Sequence, residues 1–175
     1  MTIGNFDGVH RGHMKLLSQV IKRASALNLP SLTVIFEPHP QEVIHSGNDP
    51  QRVLSLEEKV KMIGKTGLDY LVCINFSKEF ARMTPSEFVR RLLVDVLNPS
   101  EILVGPNFTF GRGARGHVND LMRLGKRYGF RVRMINTERI GKATVSSTRI
   151  RSLLERGNVK EANRLLGYPY YIVGK

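Results

Sequence analysis

Short apolar runs alternate along most of the chain with segments whose apolar residues recur at helical spacing. The runs predict strands at Thr2 to Gly4, Leu32 to Phe36, Tyr70 to Ile74, Glu101 to Val104 and Arg131 to Asn136. The periodic segments predict helices at Met14 to Leu27, Leu56 to Thr66, Pro85 to Val96 and Val118 to Tyr128. Ser55, with Glu58 three residues on, and Thr84 stand where helix N-caps belong. Strands that are apolar throughout are buried on both faces, and their alternation with helices argues for a parallel sheet covered on both sides. The expected fold is α/β and Rossmann-like, a five-stranded, mainly parallel sheet in one domain covering residues 1–167. Ligands of such sheets bind beyond the carboxyl ends of the strands. The chemistry is therefore sought in the loops that follow them.

The first of these loops reads GNFDGVHRGH, Gly4 to His13, and feeds directly into a helix. A helix N-terminus carries unpaired amides and a partial positive charge, so this turn suits the oxygens of a triphosphate. Gly4, Gly8 and Gly12 let the backbone approach a ligand, and His10 and His13 can each donate a hydrogen bond to a phosphate oxygen, whether neutral or protonated. The residues allow a second reading, a glycine turn opening a helix with two solvated histidines. FEPHP, Phe36 to Pro40, follows the second strand, and its prolines make either a preformed wall or an ordinary rigid turn. VGPNFTFGRG, Val104 to Gly113, follows the fourth. Asn107, Phe108 and Phe110 offer the apolar face and polar edge that a flat ring needs, while alternation makes at least one phenylalanine a core anchor. Arg112 and Arg115 behind them hold phosphate or are solvated. VSSTRIRSLL, Val145 to Leu154, opens another helix, with Ser147 as a ligand contact or only an N-cap. Arg149 and Arg151 fall near a helix start, where cations are unfavourable unless an anion accompanies them.

The pattern GxFDxxHxGH resembles the HxGH signature of the nucleotidyltransferase superfamily, and GNFDGVHRGH is most similar to the FMN adenylyltransferase domain of prokaryotic bifunctional riboflavin kinase/FAD synthetases. FEPHP, NFTFG and SSTRIR resemble further segments of that family in the same order. The resemblance implies transfer of AMP from ATP to FMN, giving FAD and pyrophosphate, with Mg²⁺ on the triphosphate and no protein ligand of the metal identifiable. It implies an ATP site of Gly4, Phe6, Asp7, Gly8, His10, Gly12, His13, Ser147, Thr148 and Arg151. Within that set His10, His13 and Arg151 would be catalytic. The FMN site implied is Phe36, Pro38, His39, Asn107 and Phe110. Where the family usually has Gly-Asp after the FG loop, this chain has Gly116 and His117. The family's riboflavin kinase module, marked by GFPTAN, is not found, and residues 168–175 resemble its first strand or a linker to it. Riboflavin kinase activity is therefore not expected in this chain.

Composition narrows the alternatives. The net charge of +12 is uneven, +2 over residues 1–100 and +10 over residues 101–175, and the second half is expected to face the anions. Such a field suits ATP and FMN but equally RNA. No basic run is interleaved with aromatics, and no nucleic-acid partner is expected. With no membrane-length apolar run and no charged-then-apolar leader, a soluble, cytoplasmic protein without a membrane partner is expected. Cys73 lies in the apolar run YLVCI, where it is expected to pack as a small hydrophobe. Two rivals remain: an adenylyltransferase for nicotinate mononucleotide or phosphopantetheine, and a non-catalytic basic RNA-binding module on the same scaffold.

Overall fold

The structure, a computed structural model, describes residues 1–44, 51–136, 138–141 and 143–173. Its centre is a five-stranded parallel sheet of β1 (Thr2–Ile3), β2 (Leu32–Glu37), β3 (Tyr70–Asn75), β4 (Glu101–Val104) and, after two short strands, β7 (Arg131–Met134). The spatial order is β3-β2-β1-β4-β7, with Thr2 paired with both Thr33 and Leu103. The chain builds outward from β1 on one side and then crosses to the other. The topological switch point thus lies between β1 and β4, where a crevice opens at the carboxyl ends.

Strand alternation divides the core in two. Val34 and Phe36 of β2 join Ile3, Ile102 and Val104 on one face, beneath Phe88, Val89, Leu92 and Leu93 and beneath Leu121 and Leu124. Ile35 points the other way, to Phe6, Val9, Leu17 and Ile63. The first face is covered by α5 (Pro85–Glu87, continued by Phe88–Leu97) and α6 (Val118–Tyr128), the second by α1 (Arg11–Ala26) and α3 (Leu56–Gly64). Helix α5 starts as Pro85–Glu87 and continues as a π-helical stretch, Phe88–Leu97. The expected cap residues are in place: Ser55 Oγ accepts from the Glu58 amide at 3.2 Å, and Thr84 exchanges bonds with Glu87. Two short helices, α2 (Pro40–Ile44) and α4 (Lys78–Ala81), flank the ends of β2 and β3.

Two expectations are corrected. Helix α1 begins at Arg11, not Met14, because His10 caps it, so the second half of the glycine turn is already helix. Cys73 is exposed rather than packed, because β3 is the sheet edge and Val72 and Ile74 take the core side. Arg131 and Arg133 are exposed on the edge strand β7, where charged side chains shield an open strand edge from pairing. Beyond the sheet, β5 (Thr109–Phe110) pairs with β6 (Gly116–His117), and β8 (Arg139–Ile140) with β9 (Ala143–Thr144). Helices α7 (Ser147–Glu155) and α8 (Val159–Leu166) then pack together through Ile150, Leu165 and Leu166. Of these six elements only β5 and α7 fall within the motif segments read from the sequence.

Candidate active site

Two cavities lie side by side at the switch point and share Gly4, Asn107 and Phe108 as a common wall. The first, about 320 Å³, is lined by Phe6, His10, Gly12 and His13 from the loop after β1 and the start of α1. Across it stand Ser146, Ser147 and Thr148 at the start of α7. The second, about 330 Å³, is walled by Phe36, Phe76, Phe80, Phe88 and Phe110.

In the first cavity the local sequence explains the geometry. Gly4 has no side chain because a Cβ there would stand 3.1 Å from the Phe6 ring. Gly8, at φ +77°, allows the loop to fold tightly enough to bury Val9 and His10. His10 Nδ1 accepts a hydrogen bond from the His13 amide at 3.2 Å, capping α1. Because Nδ1 is an acceptor, the neutral ring carries its proton on Nε2. The two imidazoles stack with centroids 3.6 Å apart and planes 13° from parallel. Neither is on the surface of an open turn: His10 is 5% exposed, and His13 Nδ1 is buried with no partner among the described residues. Burial lowers the pKa of His10 to about 4, and burial, His10 and Lys59 hold His13 well below the usual imidazole range. Both rings are thus neutral near pH 7. The amides of Arg11 and Gly12, and those of Ser147 and Thr148, also have no acceptor among the described residues. Two helix N-termini and a neutral histidine pair therefore converge on one space, which is the environment that phosphate oxygens favour.

Other residues expected at ATP line neither cavity. Asp7 lies behind the loop, where Oδ1 accepts from the Val53 amide at 3.0 Å and Oδ2 from Arg151 at 3.3 Å. Gly8 faces Val53 and Leu166, and its carbonyl accepts from the Tyr168 hydroxyl at 2.6 Å. Ser147 is not the cap of α7. Ser146 is, accepting from the Arg149 amide, while Ser147 lines the cavity and donates its hydroxyl proton to the Asp7 carbonyl at 2.8 Å. The anion that offsets Arg151 near a helix start is the Asp7 carboxylate. Arg149 is exposed.

In the second cavity Phe36, Asn107 and Phe110 take the expected places, and Pro38 and His39 do not. Pro38 is exposed, and His39 is buried in the polar layer behind the first loop, where burial lowers its pKa and Asp7, Lys59 and Arg151 act on it. Phe110 doubles as core: it is 5% exposed and packs on Phe88 at 5.4 Å. Phe108 lies nearly parallel to it, 5.7 Å away. Sequence reasoning missed Phe76 and Phe80, although Phe76 directly follows the carboxyl end of β3, where ligand contacts are expected. It also missed Ile135, Asn136 and Glu138, which line the first cavity from the loop after β7, with Glu138 paired to Lys15 at 2.7 Å. Where the family pattern has an acid, His117 donates its amide proton to Asp120 at 3.1 Å, so the nearest carboxylate acts as a helix-start partner.

A family model described as FAD synthetase matches residues 1–149. The chain belongs to the FAD synthetase family. It is 38% identical over 175 residues to the bifunctional riboflavin kinase/FMN adenylyltransferase of Escherichia coli (strain K12), covering all of this chain and 56% of that protein. The chain thus spans little more than half the length of that relative. Among solved structures it resembles one of a macrolide-efflux protein from Streptococcus pneumoniae, with a TM-score of 0.83 and 31% identity over 97% of this chain and 64% of the other. It also resembles pantothenate synthetase from Thermus thermophilus, with a TM-score of 0.54 and 16% identity over 95% and 74%. That more distant likeness shows a shared Rossmann-type fold.

The buried histidines of this family member make its stability depend on acid. The folded pKa of His10, about 4, lies below the unfolded value of about 6.5, so the unfolded chain takes up its proton first. The stabilisation is complete above about pH 6.5 and is lost as pH falls toward and through 4. From His10 alone, unfolding titrations at pH 5 are expected to show about 2 kcal/mol less stability than at pH 7.5, with His13 and His39 adding in the same direction. A denaturant midpoint unchanged between those pH values would contradict the burial of the pair.

Proposed function

We propose that this chain transfers AMP from ATP to the phosphate of FMN, forming FAD and pyrophosphate. The observation that carries this reading is the pair of cavities meeting at Gly4, Asn107 and Phe108, one fronted by helix amides and neutral histidines, the other walled by phenylalanines. The triphosphate lies in the first and the isoalloxazine in the second, so the FMN phosphate reaches the α-phosphorus at the shared wall. One of its oxygens attacks in line, the P–O bond to pyrophosphate breaks, and no covalent enzyme intermediate forms. His10 and His13 donate to oxygens whose charge grows, aided by the amides of Arg11 and Gly12. Neither imidazole needs to remove a proton, since the FMN phosphate is already anionic near neutral pH.

Arg151 contributes its charge from behind the first loop, and Asp7, Gly8 and Ser147 hold that loop in shape. Thr148 contacts the triphosphate, and Phe36, Asn107 and Phe110 contact the flavin. Pro38 and His39 set the course of the chain after β2. Mg²⁺ arrives on ATP and is held by phosphate oxygens and waters. Among the described residues no group of three or more His, Cys, Asp or Glu could hold a metal, and the carboxylate lining the first cavity, Glu138, is engaged by Lys15.

In the full-length setting, residues 168–173 lead toward a riboflavin kinase module, and the reaction belongs to the cytoplasm. Incubating the chain with ATP, Mg²⁺ and FMN, riboflavin, nicotinate mononucleotide or phosphopantetheine tests the reading. FAD from FMN and no product from the others is expected. Adenylylation of nicotinate mononucleotide or phosphopantetheine in preference to FMN would transfer the function to the rival acceptor, and FMN from riboflavin would overturn the expectation of adenylyl transfer alone.

A further inference from the structure

The first loop is bent against its own backbone preference. Phe6, Gly8 and Val9 have φ of +50°, +77° and +34°, and for Phe6 and Val9, which carry side chains, that left-handed backbone is costly and persists only where the surroundings fix it. Hydrogen bonds from distant parts of the chain do so. The Val53 amide donates to the Asp7 carboxylate at 3.0 Å, the Ser147 hydroxyl to the Asp7 carbonyl at 2.8 Å, and the Tyr168 hydroxyl to the Gly8 carbonyl at 2.6 Å. The last is the shortest of the three and falls two residues before His10. Tyr168 also lies outside residues 1–149, which the family model matches.

Tyr168 is itself held in place. It packs both against the core that contains Phe6 and Val9 and against the one that joins Val53 to α7 and α8. Gly167, before it, approaches α1 so closely that a Cβ there would stand 2.9 Å from the Arg11 side chain, and Arg11 Nε donates to the Arg164 carbonyl at 3.1 Å. The end of α8 is thus seated on the start of α1. Burial raises the pKa of the Tyr168 phenol, so the hydroxyl stays a donor across the neutral range. A second tyrosine of the same segment, Tyr171, donates instead to Glu58 on α3 and lines neither cavity.

We propose that Tyr168 is a positioning residue for AMP transfer: its hydroxyl ties the Gly8 carbonyl back from the first cavity and so aims His10 and His13 at the oxygens that gain charge. This rests on the roles given to those histidines in the proposed function. A carbonyl oxygen turned into the cavity would repel phosphate, whereas one tied back leaves amides and imidazoles to face it. Gly8 accordingly lines neither cavity. Rotation of its peptide moves His10, and with it His13, through the 3.2 Å capping bond and the stacked rings. Misplacement of a catalytic group by about 1 Å can cost on the order of 100-fold in rate, so one distant hydroxyl is enough to matter.

Tyr168→Phe keeps the ring and removes the hydroxyl. The folded variant is expected to make FAD with kcat lowered roughly tenfold and with KM for ATP and for FMN within about twofold of wild type, because the bound triphosphate still meets the helix amides. Tyr171→Phe, which removes the other hydroxyl of the same segment, is expected to leave kcat within about twofold. In a His13→Ala background Tyr168→Phe is expected to lower kcat by less than about twofold further, since the donor it aims is gone. A merely structural bond would lower the melting temperature and leave kcat, assayed well below that temperature, unchanged. Should Tyr168→Phe not fold, Tyr168→His, whose ring is shorter than the phenol, serves in the same comparisons. A folded Tyr168 variant with wild-type kcat, or one whose loss is as large with His13→Ala as without it, overturns the inference. Wild-type protein that makes no FAD would instead overturn the function on which it rests.

Discussion

His13→Ala is expected to lower kcat on the order of 100-fold while ATP affinity changes far less. The imidazole is neutral at working pH because burial, the stacked His10 ring and Lys59 all oppose its protonation. A neutral donor in a low-dielectric cavity contributes little to a triphosphate already met by the amides of two helices. It contributes most when charge grows during P–O cleavage, and only interactions stronger in the transition state raise kcat. About 3 kcal/mol of transition-state stabilisation corresponds to the expected loss. His13→Gln or His13→Asn retains a donor and should lose less. His10→Ala should also cost about 1 kcal/mol of stability, since Nδ1 of His10 is the cap of α1. Steady-state kinetics and ATP titration of the same preparations check both parts, and an unaltered kcat in His13→Ala would reduce the motif to a structural turn.

Phe110→Ala is expected to damage the fold and the flavin site together. The ring is 5% exposed, packs on Phe88 and closes one side of the second cavity. Truncating a buried phenylalanine typically costs about 3 to 5 kcal/mol of stability, enough to leave a marginal domain partly unfolded. Asn107→Ala is different. Asn107 lines both cavities and is exposed, so its loss should weaken FMN binding by about 1 to 3 kcal/mol with the melting temperature unchanged. Paired thermal melts and FMN titrations separate the two cases. A Phe110→Ala protein as stable as wild type, or an Asn107→Ala protein with unchanged FMN affinity, would contradict the assignment of this loop.

The fold was legible because the inner strands β2 and β4 are buried on both faces, which forces helices onto both sides of a parallel sheet. Apolar residues at Val34, Ile35 and Phe36 feed two cores at once, and that alternation is visible only as an unbroken run. The cavity-facing members of the first motif were legible for a local reason: a glycine turn joined to a helix start fixes where amides and histidines point. What escaped was tertiary. Asp7 and Arg151 look like ligand contacts in sequence, yet they meet each other across the long chain between them because α7 packs against the first loop. The short helices α2 and α4 carry too few residues to show a period, so Phe80 was invisible as a cavity wall. Cys73 looked buried because an apolar run does not reveal that its strand is the edge.

The central claim is a single transfer of AMP to FMN at the α-phosphorus. ATP labelled at the α-phosphate, supplied with FMN and Mg²⁺, tests it most directly. The account predicts that label appears in FAD in step with unlabelled pyrophosphate and that none stays on the protein after denaturation. Label retained covalently on the chain, or no labelled FAD while ATP remains bound, would contradict it.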